Sequence, residues 1–371
     1  MKNLYRVTSK GLLGVFFIFI ASTCSSAVAQ STSPMTLVQV KNAVARDAVC
    51  NDGTPATYYL RRGEGTGSHR WVIHLQGGGF CNSIETCQER SVSTPQLMTS
   101  KGLSRTRMGH GVQSPSARDN PDFHNANHVF VPYCSSDVWS GDRGATPESG
   151  GWHFRGARIV RAVIGDLMNP TITLPPNLAV AKEVLFSGSS AGGNGVMSNL
   201  DWVAEQLPQV SVRGLNDAGW VVDVTPYDSS IAPPLVQTQQ GYALWNGTVD
   251  ASCLAANPGA EGRCYTEYAY PYISTPLFVQ MAQFDTSSLH RLGITLPADE
   301  NERAYMLEFA AAVRQSLEPV PAAFSPATTT HSILGNAQFW TLRIAGQSLR
   351  DLLGNWFFGR PGPIKLIEMG R

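Results

Sequence analysis

The sequence predicts an α/β fold: a mostly parallel central sheet flanked by helices on both faces. Three observations point to it. Short apolar runs (71–75, 128–133, 183–187, 210–217, 275–285) alternate with stretches of helical period (154–168, 191–207, 299–316, 348–359). Glycines or acidic residues stand at the carboxyl ends of several runs, where open α/β sheets build their sites. The run ending at Ser187 leads through Gly188-Ser189-Ser190-Ala191-Gly192 into a segment whose Val196, Leu200, Val203 and Leu207 recur at helical spacing. Strand, tight turn and helix is the setting in which G-x-S-x-G acts as a nucleophile elbow.

Residues 1–29 read as a leader rather than part of the fold. Lys2, Arg6 and Lys10 precede an apolar segment at 12–21, and Ala27-Val28-Ala29 supplies a small-x-small cleavage site. A rival reading makes Cys24 the first residue of a lipoprotein, although Ala21-Ser22-Thr23 suits that signal poorly. No later stretch is long and apolar enough for a membrane helix, and residues 30–371 form a single domain. The chain has 28 basic and 28 acidic residues; without the leader's three basic residues the formal charge becomes −3. Such a balance, with no basic run, offers nothing to nucleic acid or anionic lipid. Cys50, Cys81, Cys87, Cys134, Cys253 and Cys264 remain, and an even number in an exported chain reads as three disulfides. Short loops suggest Cys81–Cys87 and Cys253–Cys264, leaving Cys50–Cys134, among 15 possible pairings. No C-x-x-C pair or helical histidine pair accompanies them, so no metal or other cofactor is expected.

Taken in order, residues 30–49 read as polar, weakly helical surface. Asn51-Asp52-Gly53 marks a turn, and the run 56–60 that follows it is expected to pair with 71–75 as a hairpin. Gln76-Gly77-Gly78-Gly79 then ends a core strand, where backbone must approach something closely; beside an elbow serine, the N–H groups of Gly78 and Gly79, with that of Ala191, would hold an oxyanion. Residues 88–126 read as a helix-and-loop excursion. The strand 128–133 ends in a loop that brings Asp137 and Trp139 toward the pocket, or folds a structural turn. A helix at 154–168 and a Pro-rich link at 170–176 precede the elbow; after it, a strand ends at Asp217. The region 221–270, with few clean periods, is the best candidate for an irregular cap, beginning at Val221. A strand over 275–285 delivers Asp285, a helix covers 299–316, a last short strand and loop deliver His331, and a helix at 348–359 closes the chain.

Serine is a poor nucleophile without a positioned base, and that base needs a carboxylate to fix its tautomer. Ser190, Asp285 and His331 follow the order Ser, Asp, His found in α/β-hydrolases. Six of the eight histidines precede Ser190, and His290 lies too close to Asp285. Asp217 and Asp223 also stand between the serine and His331, and Asp217 ends a strand, so they remain rivals for the acid; as a non-acid, Asp217 would support the elbow or form the pocket floor.

The blocks GGGFCNSIETC, NPDFHNANHVFVPYCSSDVWSGD, FRGARI, SGSSAGGNGVMSNLDWVAEQLP, RGLNDAGW, YALWNGTV and TPLFVQMAQFD resemble the pectin acetylesterase/Notum family, in order and over nearly all of the chain after the leader. The resemblance implies an α/β-hydrolase-like fold and a metal-free serine carboxylesterase. By motif it places the nucleophile on Ser190, the acid on Asp285, the base on His331, and oxyanion donors on Gly78, Gly79 and Ala191. Notum-like members carry Trp where this chain has Gly79 and Phe where it has Val221, which implies a smaller acyl group here. CSSDVWSG and WNG are nonetheless more Notum-like than plant-like, and Thr330 and Ser332 replace the cysteines that often flank the histidine. The expectation is an exported esterase that removes acetyl from a carbohydrate or similar substrate. Alternatives are a deacylase of longer chains on lipidated protein or lipid, a serine peptidase, and a catalytically idle glycan-binding module.

Overall fold

The computed structural model describes residues 1–4, 33–169 and 177–369. The chain divides into two compact units, Met1–Gln30 and Ser31–Arg371. The expected cleavage site, Cys24 and the Pro-rich link 170–176 lie outside the described residues.

In chain order the second unit forms β1 (Met35–Gln39), β2 (Thr57–Arg61), β3 (Arg70–Leu75), α1 (Ile84–Ser93), β4 (Thr106–Arg107), β5 (Asn127–Val131), α2 (Gly156–Met168), β6 (Glu183–Ser189), α3 (Ala191–Gln206) and β7 (Ser211–Asp217). There follow α4 (Pro234–Trp245), α5 (Ala251–Ala256), β8 (Leu277–Gln280), α6 (Thr286–Arg291), α7 (Glu300–Ser316), β9 (Ala323–Ser325), α8 (Gln338–Thr341), the ribbon β10 (Arg343–Ile344) and β11 (Gln347–Ser348), α9 (Leu349–Phe358) and β12 (Lys365–Ile367). Among the described residues, ten strands make one sheet in the order β12-β9-β8-β7-β6-β3-β5-β2-β1-β4. From β12 to β5 every pairing is parallel; β2, β1 and β4 extend it antiparallel.

Period-two side-chain alternation explains why both faces are covered. Trp71, Ile73, Val184, Phe186, Leu277 and Val279 enter the core shared with α2, α3 and α7. Val72, Leu185, Phe278 and Phe324 point the other way, into the core closed by Leu349, Leu352, Leu353 and Phe357 of α9. The inner parallel strands β3, β6 and β8 therefore have no solvent face, which makes their runs largely apolar.

Three expectations need correction. Residues 56–60 do not form a hairpin with 71–75: β5 inserts between them, and β2 pairs antiparallel with β5 and β1. A strand buried on both faces, as β3 is, takes parallel neighbours β5 and β6 instead. Residues 35–39 are a strand on this antiparallel edge, followed by a 3-10 turn at Val44–Arg46. The strand at 323–325 is not the last, because β12 returns beside it in parallel after α9.

Candidate active site

Four carboxyl-terminal strand ends, those of β3, β6, β7 and β8, and the loop after β9 meet at one edge of the sheet. Ser190 caps α3 between β6 and the helix with φ 55° and ψ −122°, a strained backbone for a side-chain-bearing residue. The turn closes because Gly192 lies against the Leu75 carbonyl, where a Cβ would collide with backbone. The Ser190 N–H donates to the Asp217 carbonyl at 2.7 Å, while its hydroxyl makes no hydrogen bond among the described residues.

The loop after β3 is fixed at both ends. The Gln76 N–H donates to Val131 and the Cys81 N–H to Ser136, Trp139 Nε1 donates to the Gln76 carbonyl, and Trp245 Nε1 donates to the Cys81 carbonyl. Between these anchors Gly78 and Gly79 have φ of 150° and 71°, so the chain turns in a conformation suited to glycine. The N–H groups of Gly78, Gly79 and Ala191 find no partner among the described residues. These donors are held in place by the anchored loop and by the start of α3.

Asp285 is fully buried; its Oδ1 accepts the Ser288 N–H at 2.8 Å and its Oδ2 lies 2.7 Å from His331 Nδ1. A carboxylate only accepts, so Nδ1 carries the proton and Nε2 is free to act as a base. The loops that carry acid and base are zipped together beyond the strands: Gln283, Phe284 and Thr286 N–H groups donate to Pro326, Thr328 and Thr329 carbonyls. His331 keeps a quarter of its side chain exposed.

Asp217 does not touch His331 Nδ1. Its Oδ1 accepts the Ile333 N–H at 3.0 Å; its Oδ2 accepts the Leu334 N–H at 3.1 Å and the Ser189 hydroxyl at 2.5 Å. Burial raises its pKa, opposed by these hydrogen bonds and by the nearby His331. One buried carboxyl thus fastens the serine turn to the histidine loop.

A narrow cavity opens beside Ser190, lined also by Gly79, Ala191 and Val221. Asp137 and Trp139 lie outside its lining, which corrects their placement in the pocket; Val138 between them contributes instead. Asp137 folds the loop and accepts the first N–H of α2, from Gly156, at 2.7 Å, while Trp139 packs on Tyr133 with ring centroids 5.1 Å apart. Sequence reasoning missed Phe80, Asn194, Thr238, Trp245, Tyr265 and Arg291 in the same lining. Phe80 and Asn194 sit within the two glycine-rich motifs, a usable signal; the other four arrive from distant segments. The region 221–270 is also more regular than expected, with α4, α5 and 3-10 turns at Glu261–Tyr265 and Glu267–Tyr272. The structure joins Cys50–Cys134, Cys81–Cys87 and Cys253–Cys264.

A model of the pectinacetylesterase family matches residues 28–370. The chain belongs to that family. Its relatives include the palmitoleoyl-protein carboxylesterase NOTUM of Homo sapiens, 38% identical over 323 residues, covering 83% of this chain and 63% of that protein. The NOTUM of Drosophila melanogaster is 37% identical over 316 residues, covering 83% and 46%. This pectinacetylesterase-family chain thus spans less than two thirds of the length of these relatives. A crystal structure of the Wnt deacylase Notum from Drosophila superposes with a TM-score of 0.83 at 34% identity, covering 91% of this chain and 97% of that one. The fold is that of an α/β-hydrolase-like member of this family.

Proposed function

We propose that this chain is an exported serine carboxylesterase that removes an O-linked acetyl group from a polysaccharide or similar substrate. The observation that carries the reading is the buried Asp285 carboxylate on His331 Nδ1, at the sheet edge that also holds the strained Ser190. His331 Nε2 takes the Ser190 proton as Oγ attacks the ester carbonyl. The oxyanion is held by the unpartnered N–H groups of Gly78, Gly79 and Ala191, whose strength lies in needing no reorganisation. The alcohol leaves with the proton from His331, and water, activated by the same base, hydrolyses the acyl-enzyme. Ser190 Oγ and His331 Nε2 share no hydrogen bond in the free protein; such contacts tighten as substrate binds.

Export fits three disulfides, and among the described residues no helix is long and apolar enough to cross a membrane. The reading takes 1–29 as a leader removed after Ala29 and 30–371 as one catalytic domain whose residues 221–270 roof the site. The small acyl group rests on Gly79 and Val221 in the lining. The second reading, deacylation of longer chains, is supported by the relatives' names. A mainly apolar cleft beside the first, lined by Val222, Pro234, Leu292 and Phe309, also favours it.

Hydrolysis of p-nitrophenyl esters from acetyl to palmitoyl decides between them, using protein purified from the exported fraction, whose N-terminal residue reads the cleavage position. The expected profile peaks at acetyl or butyryl, and Ser190→Ala lowers kcat on the order of 10⁴-fold or more. A maximum at eight carbons or longer would transfer the reading to the longer-chain deacylase. No turnover of any ester by folded protein would end both.

A further inference from the structure

The cavity beside Ser190 is not uniformly apolar. Arg291, the last residue of α6, is half-buried and lines both this cavity and its neighbour. Among the described residues its guanidinium makes no hydrogen bond, ion pair or aromatic contact. Burial pushes its pKa down, against the opposing charge of Asp285, yet a guanidinium stays charged in a protein and offers five donors in a planar fork matched to a carboxylate. Asp285 stabilises this charge through space without a hydrogen bond, so the donors of the fork stay open to a carboxylate that enters the cleft. Asn194, in the same lining, spends its Nδ2 on the Tyr265 carbonyl and leaves a buried Oδ1 unpartnered. An alkyl chain would leave the Arg291 donors unmatched, while the Asn194 oxygen, an acceptor, calls for a donor and not for a carboxylate.

Which part of an ester enters follows from the histidine. His331 must protonate the departing alcohol, so the alcohol lies on its partly exposed side. The cavity is lined by Ser190 and by Gly79 and Ala191, but not by His331. It is the acyl side.

We propose that Arg291 is an acyl-specificity residue that binds the free carboxylate of a short dicarboxylic acyl group. The proposal rests on the esterase reading above and names, within the same reaction, an acyl class beyond acetyl. No step is added: the ester C–O bond breaks, the alcohol takes the proton, water completes the acid, and the second carboxylate is bound unchanged. Because Arg291, Phe80, Val221 and Thr238 border both cavities, the guanidinium also stands where a long alkyl chain would pass into the apolar one.

Titrated acid release from ethyl acetate, ethyl valerate, monoethyl glutarate and ethyl octanoate tests this with wild type, Arg291→Leu and Arg291→Lys. Valerate and glutarate match in chain length and differ in the end group. Wild type is expected to favour glutarate over valerate by at least tenfold in kcat/KM. Arg291→Leu should erase that ratio, mainly through KM, and raise octanoate relative to acetate; Arg291→Lys should keep part of it, as a point charge without the fork. If Arg291→Leu does not fold, competition against ethyl acetate in wild type gives the answer, with free glutarate expected to inhibit at least tenfold more tightly than valerate. Equal treatment of the two acyl groups by wild type, or a ratio unmoved in Arg291→Leu, overturns the proposal while acetate turnover leaves the esterase intact. Loss of acetate turnover in folded wild type overturns the esterase and the proposal together.

Discussion

Asp217 shows how a residue can be central to a site without touching the reacting atoms. Both of its oxygens are occupied, by the N–H groups that follow His331 and by the hydroxyl that precedes Ser190. In Asp217→Asn one oxygen becomes an NH₂ facing another donor, which leaves a buried N–H unsatisfied and costs about 1–3 kcal/mol. If Asp217 positions the histidine loop, kcat should also fall, on the order of 10²-fold for a displacement near an ångström, with KM held within about twofold. Urea midpoints and steady-state kinetics separate the outcomes: lost stability with unchanged kcat would confine Asp217 to a structural role. At this scale the sequence was unevenly legible. Strand ends and chain order put forward Ser190, Asp285 and His331, and they left Asp217 a rival for the acid because it too ends a strand. Asp137 stood in the same kind of place, and only its enclosure by Ser135, Trp139 and Gly156 distinguishes a loop-folding carboxylate from a pocket one. Arg291 gave no signal at all, since one arginine at the end of a short helix looks like any solvated charge.

Among the elements, the loop after β3 and its disulfide make a separable case. Cys81–Cys87 closes a loop of six residues, whereas Cys50–Cys134 spans 84. Chain-entropy arguments give about 2 kcal/mol for the first and about 4–5 kcal/mol for the second. Replacing each pair by serines and following denaturant midpoints should therefore show the larger loss for Cys50/Cys134. Activity should follow the opposite order per unit of stability lost, because Cys81 anchors the loop that presents Gly78 and Gly79. Equal catalytic losses at equal stability would show that the hydrogen bonds from Trp139 and Trp245 hold the loop unaided. Elements were legible where burial shaped the sequence: β3, β6 and β8 announce themselves by unbroken apolar runs, and α2, α3 and α7 by helical spacing. The antiparallel edge was not. β1 carries a half-buried pattern with exposed residues, and β12 is a three-residue edge strand with no fully buried residue; both exist because neighbouring strands offer unpaired backbone. The false hairpin has the same origin, since proximity in sequence suggested a pairing that β5 fills from far along the chain.

For the molecule as a whole, two buried histidines set the acid limit of stability. His128 is enclosed in β5, its Nε2–H donating to the Phe123 carbonyl at 2.6 Å, and burial lowers its pKa to about 3, with Arg61 and His124 adding to the effect. His74 in β3 lies 3.2 Å from the Ser187 hydroxyl and stacks on Phe130, and burial, aided by Arg107, also lowers its pKa to about 3. Both stay neutral in the fold while the unfolded chain protonates near 6.5, so their contribution is complete above that pH and is lost as pH falls toward 3. In that window each makes stability rise with pH by about 1.4 kcal/mol per unit. Asp137 acts in the opposite sense. Its pKa is raised to about 6 by burial despite bonds from Ser135, Gly156 and Trp139, so between about 3.8 and 6 the folded state holds a proton that the unfolded chain has released. That offsets roughly one histidine, and the net slope of these three groups near pH 5 is about 1.4 kcal/mol per unit, positive with pH. His128→Gln keeps a donor for the Phe123 carbonyl and removes one titration. Denaturation series at pH 4.5, 5.0 and 5.5 should show its slope shallower than that of wild type by about 1.4 kcal/mol per unit. An unchanged slope would mean that His128 takes up its proton inside the sheet, and the buried, uncharged core of β5 would have to be abandoned as the source of acid sensitivity.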